Sequence, residues 1–251
     1  MRWKAWASAP SRPSPRIPDD VRIYAIGDVH GRADLLSSLL AAIDADLVAH
    51  PAARTLHVFL GDYIDRGPNS RQVIDLVIAR GHDHETVLLK GNHETYPALF
   101  LNDPSVLGEW RFLGGLETLM SYGLKPWRGA DGQEQRTLAK GFATVLPPGH
   151  ARFLNELKTS FCCGDFFFVH AGVKPGVPLE RQREEDMLWI REDFLLHEED
   201  FGKLIVHGHT PVREPDFRDN RINIDTGAYA TGKLTCLIIE GDELALLSTL
   251  G

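Results

Sequence analysis

The apolar positions of this chain come in short runs that stop abruptly at glycine. VRIYAI (21–26) has the β-branched and aromatic content of a buried strand and ends at Gly27. From Ala33 the period changes, and Leu35, Leu36, Leu39, Leu40, Ile43 and Leu47 share one face of a helix. Residues 56–60 form a second apolar strand. Val73, Ile74, Val77 and Ile78 then return at helical spacing in SRQVIDLVIARG (70–81), which predicts a helix stopped by Gly81. TVLLKGNHE (86–94) opens as a third strand. Strand, helix, strand, helix and strand with short links predict three parallel strands joined by right-handed crossovers.

The second half follows a different rhythm. Residues 93–123 read as mainly helical and 124–141 as an exposed loop. FCC-GD-FFFVHAG (161–172) and KLTCLIIE-GD-ELALLS (233–248) read as hairpins around Gly-Asp turns. MLWIREDFLLHEE (187–199) reads as helical, while KLIVHGHT (203–210) and RINIDTG (221–227) add strands. Crossover helices first and hairpins later predict an α/β fold of two packed mixed β-sheets flanked by helices. Residues 1–20, rich in Ser and Pro, read as a flexible tail, and 21–251 as a single domain.

Composition narrows the choice of partners. The formal net charge of −8 argues against a general nucleic-acid or anionic-membrane surface, although a metal cluster can reverse the sign locally. No apolar run approaches the length of a membrane span, and the N-terminus has no apolar signal core. Cys162, Cys163 and Cys236 are too few and too irregular for a disulfide framework, which predicts reduced thiols and a cytoplasmic location.

The strand tips carry the chemistry. GDVHG (27–31), GDYIDRG (61–67), GNHE (91–94), HAG (170–172) and HGHT (207–210) each follow an apolar run. In a parallel sheet the carboxyl ends of neighbouring strands lie side by side, where ligands bind. Carboxylate, amide oxygen and imidazole then converge, a donor set suited to Mn, Fe or Zn. Asp62 has two oxygens and can bridge two cations, the usual arrangement for hydrolysing phosphate esters. Each motif alone has an ordinary explanation: a turn for GDVHG, a helix N-cap for Asn92, a core histidine for His170, a surface ion pair for Arg191. Their joint occurrence in order is what selects the metal site.

These motifs resemble the phosphoprotein phosphatase family of calcineurin-like metallophosphoesterases, and INIDTGA (222–228) resembles its bacterial and phage-lambda branch. The resemblance implies two divalent ions, Mn²⁺ first, with Fe or Zn as substitutes. Asp28, His30 and Asp62 would hold one, and Asp62, Asn92, His170 and His209 the other. His209 outranks His207 because the family's ligand is the His of GHT. A metal-bridging hydroxide would attack phosphorus in line, His93 would protonate the leaving oxygen, and Asp65 would orient His93. Arg66 and Arg191 would clamp phosphate oxygens with planar forks. Lys90 stands where relatives often carry Arg and is left out of this set. Glu94, in GNHE rather than GNHD, favours a phosphatase of phosphoserine and phosphothreonine proteins, with phosphotyrosine as a further substrate. The rival is a symmetrical diadenosine tetraphosphate hydrolase, and a non-catalytic metal-binding scaffold ranks below both.

Overall fold

Eleven strands are found in the computed structural model, which describes residues 2–3, 14–126 and 132–249. In chain order they are β1 (Arg2–Trp3), β2 (Val21–Ile26), β3 (Arg54–Phe59), β4 (Thr86–Leu88), β5 (Ser160–Cys163) and β6 (Phe166–Val169), followed by β7 (Leu204–His207), β8 (Asp216–Phe217), β9 (Arg221–Asn223), β10 (Thr235–Glu240) and β11 (Glu243–Ser248). One sheet has the order β1-β11-β10-β2-β3-β4, the other β5-β6-β7-β9-β8. Within them β2-β3-β4 and β6-β7-β9 run parallel, and both expected hairpins, β5-β6 and β10-β11, are present. Both sheets are mixed and flanked by helices, as the α/β pattern predicts.

Side-chain alternation along β2 explains the layering. Val21, Ile23 and Ala25 face a core shared with Leu56, Val58, Phe166, Phe168, Val206 and Ile222, which glues sheet to sheet. Tyr24 and Ile26 face the opposite side, against α1 (Ala33–Ala49) and α2 (Ser70–Asp83). On the far face of the second sheet Phe167, Val169 and Ile205 pack on Met187 and Phe194.

Three local expectations change. α2 runs through Gly81 to Asp83, because Gly81 keeps helical backbone and the chain turns only at His84, with ψ 151°. The stretch read as a loop contains a helix, Gly132–Val145, that buries Leu138, Ala139 and Phe142; residues 127–131 lie outside the described residues. The helix expected over 187–199 is two short ones, Glu184–Trp189 and Glu192–Leu195, separated at Arg191 (φ −132°, ψ −94°). Of the proposed tail, residues 4–13 lie outside the described residues, while Ile17 is buried in the inter-sheet core. No helix among the described residues is long and apolar enough to cross a membrane.

Candidate metal centre

Register brings the tips together. Ile26 pairs with Phe59 and Phe59 with Leu88, so the loops after β2, β3 and β4 leave from one row. The loops after β6 and β7 meet them: His209 N–H donates to Asp28 Oδ2 at 3.0 Å, and His170 Nε2 lies 2.9 Å from Asn92 Oδ1.

Asp62 sits at the centre. Its Oδ2 is 3.3 Å from His30 Nε2, and its Oδ1 is 3.4 Å from His170 Nε2. Two buried groups share it, His30–Asp62–His93 and Asp62–His170–His209, each with ligand atoms within 4.8 Å of one another. The backbone sets the tautomers. Nδ1–H of His30 donates to Ile64 O and Nδ1–H of His170 to Leu60 O, both at 2.9 Å, which leaves each Nε2 lone pair facing Asp62. Burial lowers the pKa of His30 to about 3 and of His209 to about 2, and lowers that of His170, so these rings are neutral. Burial pushes the Asp62 carboxyl up, but the surrounding histidines, His170 first, pull it below the usual range.

Neutral imidazole lone pairs aimed at a carboxylate, with His170 Nε2 only 3.2 Å from His209 Nδ1, repel unless a cation lies among them. Asp28 Oδ1 is buried without a hydrogen-bond partner. Such orphaned atoms are rare unless something else satisfies them. The donor set of carboxylate, amide oxygen and imidazole therefore fits divalent ions. Asn92 shows no capping bond, which sets aside its ordinary role at a helix start. Asp28 stands beside the tight groups, and His93 takes the third place next to His30 and Asp62.

A second constellation adjoins the first. His93 Nδ1 is 2.7 Å from Asp65 Oδ2, an oxygen that also accepts from Trp110 Nε1 at 2.8 Å, while Thr118 Oγ1 donates to Asp65 Oδ1 at 2.6 Å. Burial would lower the His93 pKa, but Asp62 and then Asp65 outweigh it and raise it. Arg66 Nη2 lies 3.4 Å from His93 Nε2, and its guanidinium stacks 4.6 Å above the Tyr229 ring. Arg191, exposed, reaches Thr210 Oγ1 at 3.4 Å, on the His209 side. Two residues left out of the set point elsewhere. Lys90 Nζ is held by Glu184 Oε1 at 2.8 Å, and His207 packs edge-on against Phe194 at 4.9 Å.

Sequence reasoning missed three contributors. Glu94 accepts four backbone N–H groups: Asp62 and Gly91 on Oε2 at 2.9 Å each, Tyr63 at 2.9 Å and Ile64 at 3.3 Å on Oε1. It ties the loop bearing Asp62 to the loop bearing Asn92. Asp225, in INIDTG, is buried and accepts Gly227 N–H at 2.8 Å; burial pushes its pKa to about 6. An acid after a buried strand is the same signal that marked Asp28 and Asp62. Tyr229, beneath Arg66 and edge-on to His30 at 5.4 Å, had no such signal. Close approach explains two glycines, since a Cβ on Gly91 would strike the Asp62 carboxylate and one on Gly208 that of Asp28.

A carboxylate set between two imidazole groups at the tips of a two-sheet α/β sandwich, where two ions would be held, defines a metallophosphoesterase. Residues 21–236 match the calcineurin-like phosphoesterase family, and the chain belongs to it. It is 30% identical over 231 residues to the asymmetrical bis(5'-nucleosyl)-tetraphosphatase PrpE of Anoxybacillus flavithermus, with 84% of this chain and 88% of that protein covered. The same-named protein of Bacillus cereus is 28% identical over 235 residues, with the same coverage. The fold is shared with a cold-active protein-tyrosine phosphatase of a psychrophilic Shewanella, with TM-score 0.55, 17% identity, and 93% and 83% of the two chains covered.

Proposed function

We propose that this phosphoesterase is a divalent-metal-dependent hydrolase of dinucleoside tetraphosphates that cuts the phosphate chain off-centre. Asp62 carries the reading of the chemistry: one buried carboxylate faces a different imidazole with each oxygen. The choice of substrate is supported by the names of relatives that align over most of both chains. Off-centre cleavage of four phosphates gives a nucleoside monophosphate and a nucleoside triphosphate, unlike the symmetrical cleavage expected of the rival reading above.

Asp28, His30, Asp62, Asn92, His170 and His209 would hold two ions, Mn²⁺ first. When bound, such ions polarise a phosphoryl oxygen and lower the pKa of water into the neutral range. The chain's own groups do the rest. Arg66 and Arg191 offer forked N–H donors to the phosphates from two sides of the cluster. Tyr229 holds the Arg66 guanidinium flat, and Asp65, fixed by Trp110 and Thr118, fixes His93 in turn.

One feature favours a second reading, hydrolysis of phosphoprotein monoesters. The His93–Asp65 pair is built to deliver a proton, which a departing phosphate hardly needs but a serine alkoxide does. Steady-state kinetics with Mn²⁺ separates the two. Diadenosine tetraphosphate should be cleaved to AMP and ATP with at least tenfold higher kcat/KM than phosphoserine, phosphothreonine or phosphotyrosine peptides. The reverse order would assign the chain to protein dephosphorylation.

A further inference from the structure

Next to the metal centre lies a cleft of about 570 Å³, walled by residues 94–109, residues 154–157 and Trp189. Glu94 belongs both to this wall and to the hydrogen bonds that hold the Asp62 loop, so the cleft and the cluster share one residue. Trp189 stands between the two. Its ring is 6.4 Å from His209 on one side and 6.4 Å from Tyr96 on the other, and it is 40% exposed although Met187 and Leu188 before it are buried. Leu99, on the same wall, is 49% exposed. The volume falls within the roughly 300–1,000 Å³ of small-molecule sites, and an apolar, aromatic lining with a few amides is their usual composition.

Charge selects the occupant. Lys90 at the rim is paired to Glu184 and so is not free to draw a phosphate, and Glu109 on the wall accepts from the Tyr96 hydroxyl. Phosphates are therefore drawn to the metal ligands, Arg66 and Arg191, and the cleft suits an uncharged group attached to them. Asn155 offers an amide that both donates and accepts, as the edge of a nucleobase requires.

We propose that this cleft seats the second nucleoside of the dinucleotide, with its base against the Trp189 ring. The proposal rests on the dinucleoside tetraphosphate reading and adds to it where the far end of the substrate goes. Truncating an aromatic on which a base stacks lowers affinity by roughly 5- to 160-fold.

The test pairs a shortened substrate with a shortened side chain. Diadenosine tetraphosphate and adenosine tetraphosphate, which lacks the second nucleoside, are compared by kcat/KM in the Mn²⁺-loaded wild type, Trp189→Ala, Trp189→Phe and Leu99→Glu. The wild type should prefer the dinucleotide, and Trp189→Ala should erase that preference by at least fivefold. Trp189→Phe should keep most of it. Leu99→Glu, away from the ligands, should narrow it as well and carries the test if Trp189→Ala does not fold. Equal losses on both substrates in Trp189→Ala, or an unchanged preference in both Trp189→Ala and Leu99→Glu, would overturn the cleft while leaving the proposed reaction standing. A wild type that cleaves neither tetraphosphate would overturn the reaction, and the cleft with it.

Discussion

Among the described residues, the non-glycine positions with positive φ are His30, Asp62, Asp65, Arg66 and His209, all assigned to the site from sequence. Each such conformation costs on the order of 1–3 kcal/mol and persists only where the surroundings enforce it. Here the enforcing groups are visible: Glu94 beneath Asp62, Thr118 and Trp110 around Asp65, Tyr229 beneath Arg66. Asp62→Asn should therefore release both metals together, because it removes the one charge facing both imidazole groups. Elemental analysis of the purified variant checks this, and two metals per chain with normal turnover would refute the bridge. His93→Asn should keep its metals and lose activity according to leaving group. General acid catalysis contributes roughly 10²–10⁴-fold, and a poor leaving group uses most of it. The loss should be severe on a phosphoserine peptide and mild on p-nitrophenyl phosphate and diadenosine tetraphosphate. Uniform loss on all three would make His93 a phosphate-positioning group. The ligand types were legible because five strand tips in order carry acids, an amide and histidines beside glycine, although any one of them alone has an ordinary use. Glu94 was not, since its partners are backbone N–H groups whose arrangement appears only in the fold.

At the scale of elements, strands proved easier to read than helix ends. β2 matches its expected bounds residue for residue, because burial on both faces keeps it apolar except at Arg22, whose guanidinium is paired with Asp46 at 2.7 Å. α2 shows the converse. Gly81 reads as a stop, but in its negative-φ helical conformation it is only a weak helix former, and the turn at His84 ends the helix. Gly81 is exposed, and a Cβ there would meet only the Thr86 hydroxyl, at 3.2 Å, a group that can rotate away. Gly81→Ala should stabilise the protein by roughly 0.5–1 kcal/mol through lower unfolded-state entropy. Urea unfolding measures it, and a destabilised variant would show that Thr86 cannot yield. The helix Gly132–Val145 was hidden because its core contact is narrow, resting on Leu138, Ala139 and Phe142 among polar neighbours. The break at Arg191 was hidden for another reason. Glu192 and Asp193 carry no turn signal, yet the backbone leaves helical conformation at Arg191, whose side chain reaches Thr210.

For the whole molecule, the two-sheet architecture was legible because alternation along each strand assigns one face to the partner sheet and the other to helices. What alternation cannot show is polar groups placed inside that packing. His57 is such a group: it lies on β3 with no exposed surface, accepts a hydrogen bond from Arg80 Nε at 3.1 Å on α2, and touches the edge of Tyr24. Arg80 in turn reaches Asp44 at 2.6 Å on α1, so the network joins both helices to the first sheet. Burial, and then the Arg80 charge, lower the His57 pKa from its ordinary 6.5 to about 3. The sign of the pH effect follows. Between pH 6.5 and about 3 the unfolded chain binds a proton at this residue that the folded chain refuses. Its contribution to stability is therefore complete above pH 6.5 and is lost progressively as pH falls toward 3. One proton corresponds to a slope of about 1.4 kcal/mol per pH unit. His57→Gln keeps an acceptor for Arg80 but cannot titrate. Metal-loaded wild type and variant, unfolded in urea at intervals from pH 6 to pH 4, should differ in slope by close to one proton, with the variant less sensitive to acid. Parallel slopes would mean that His57 gains its proton without unfolding, and that the helices open locally to admit it.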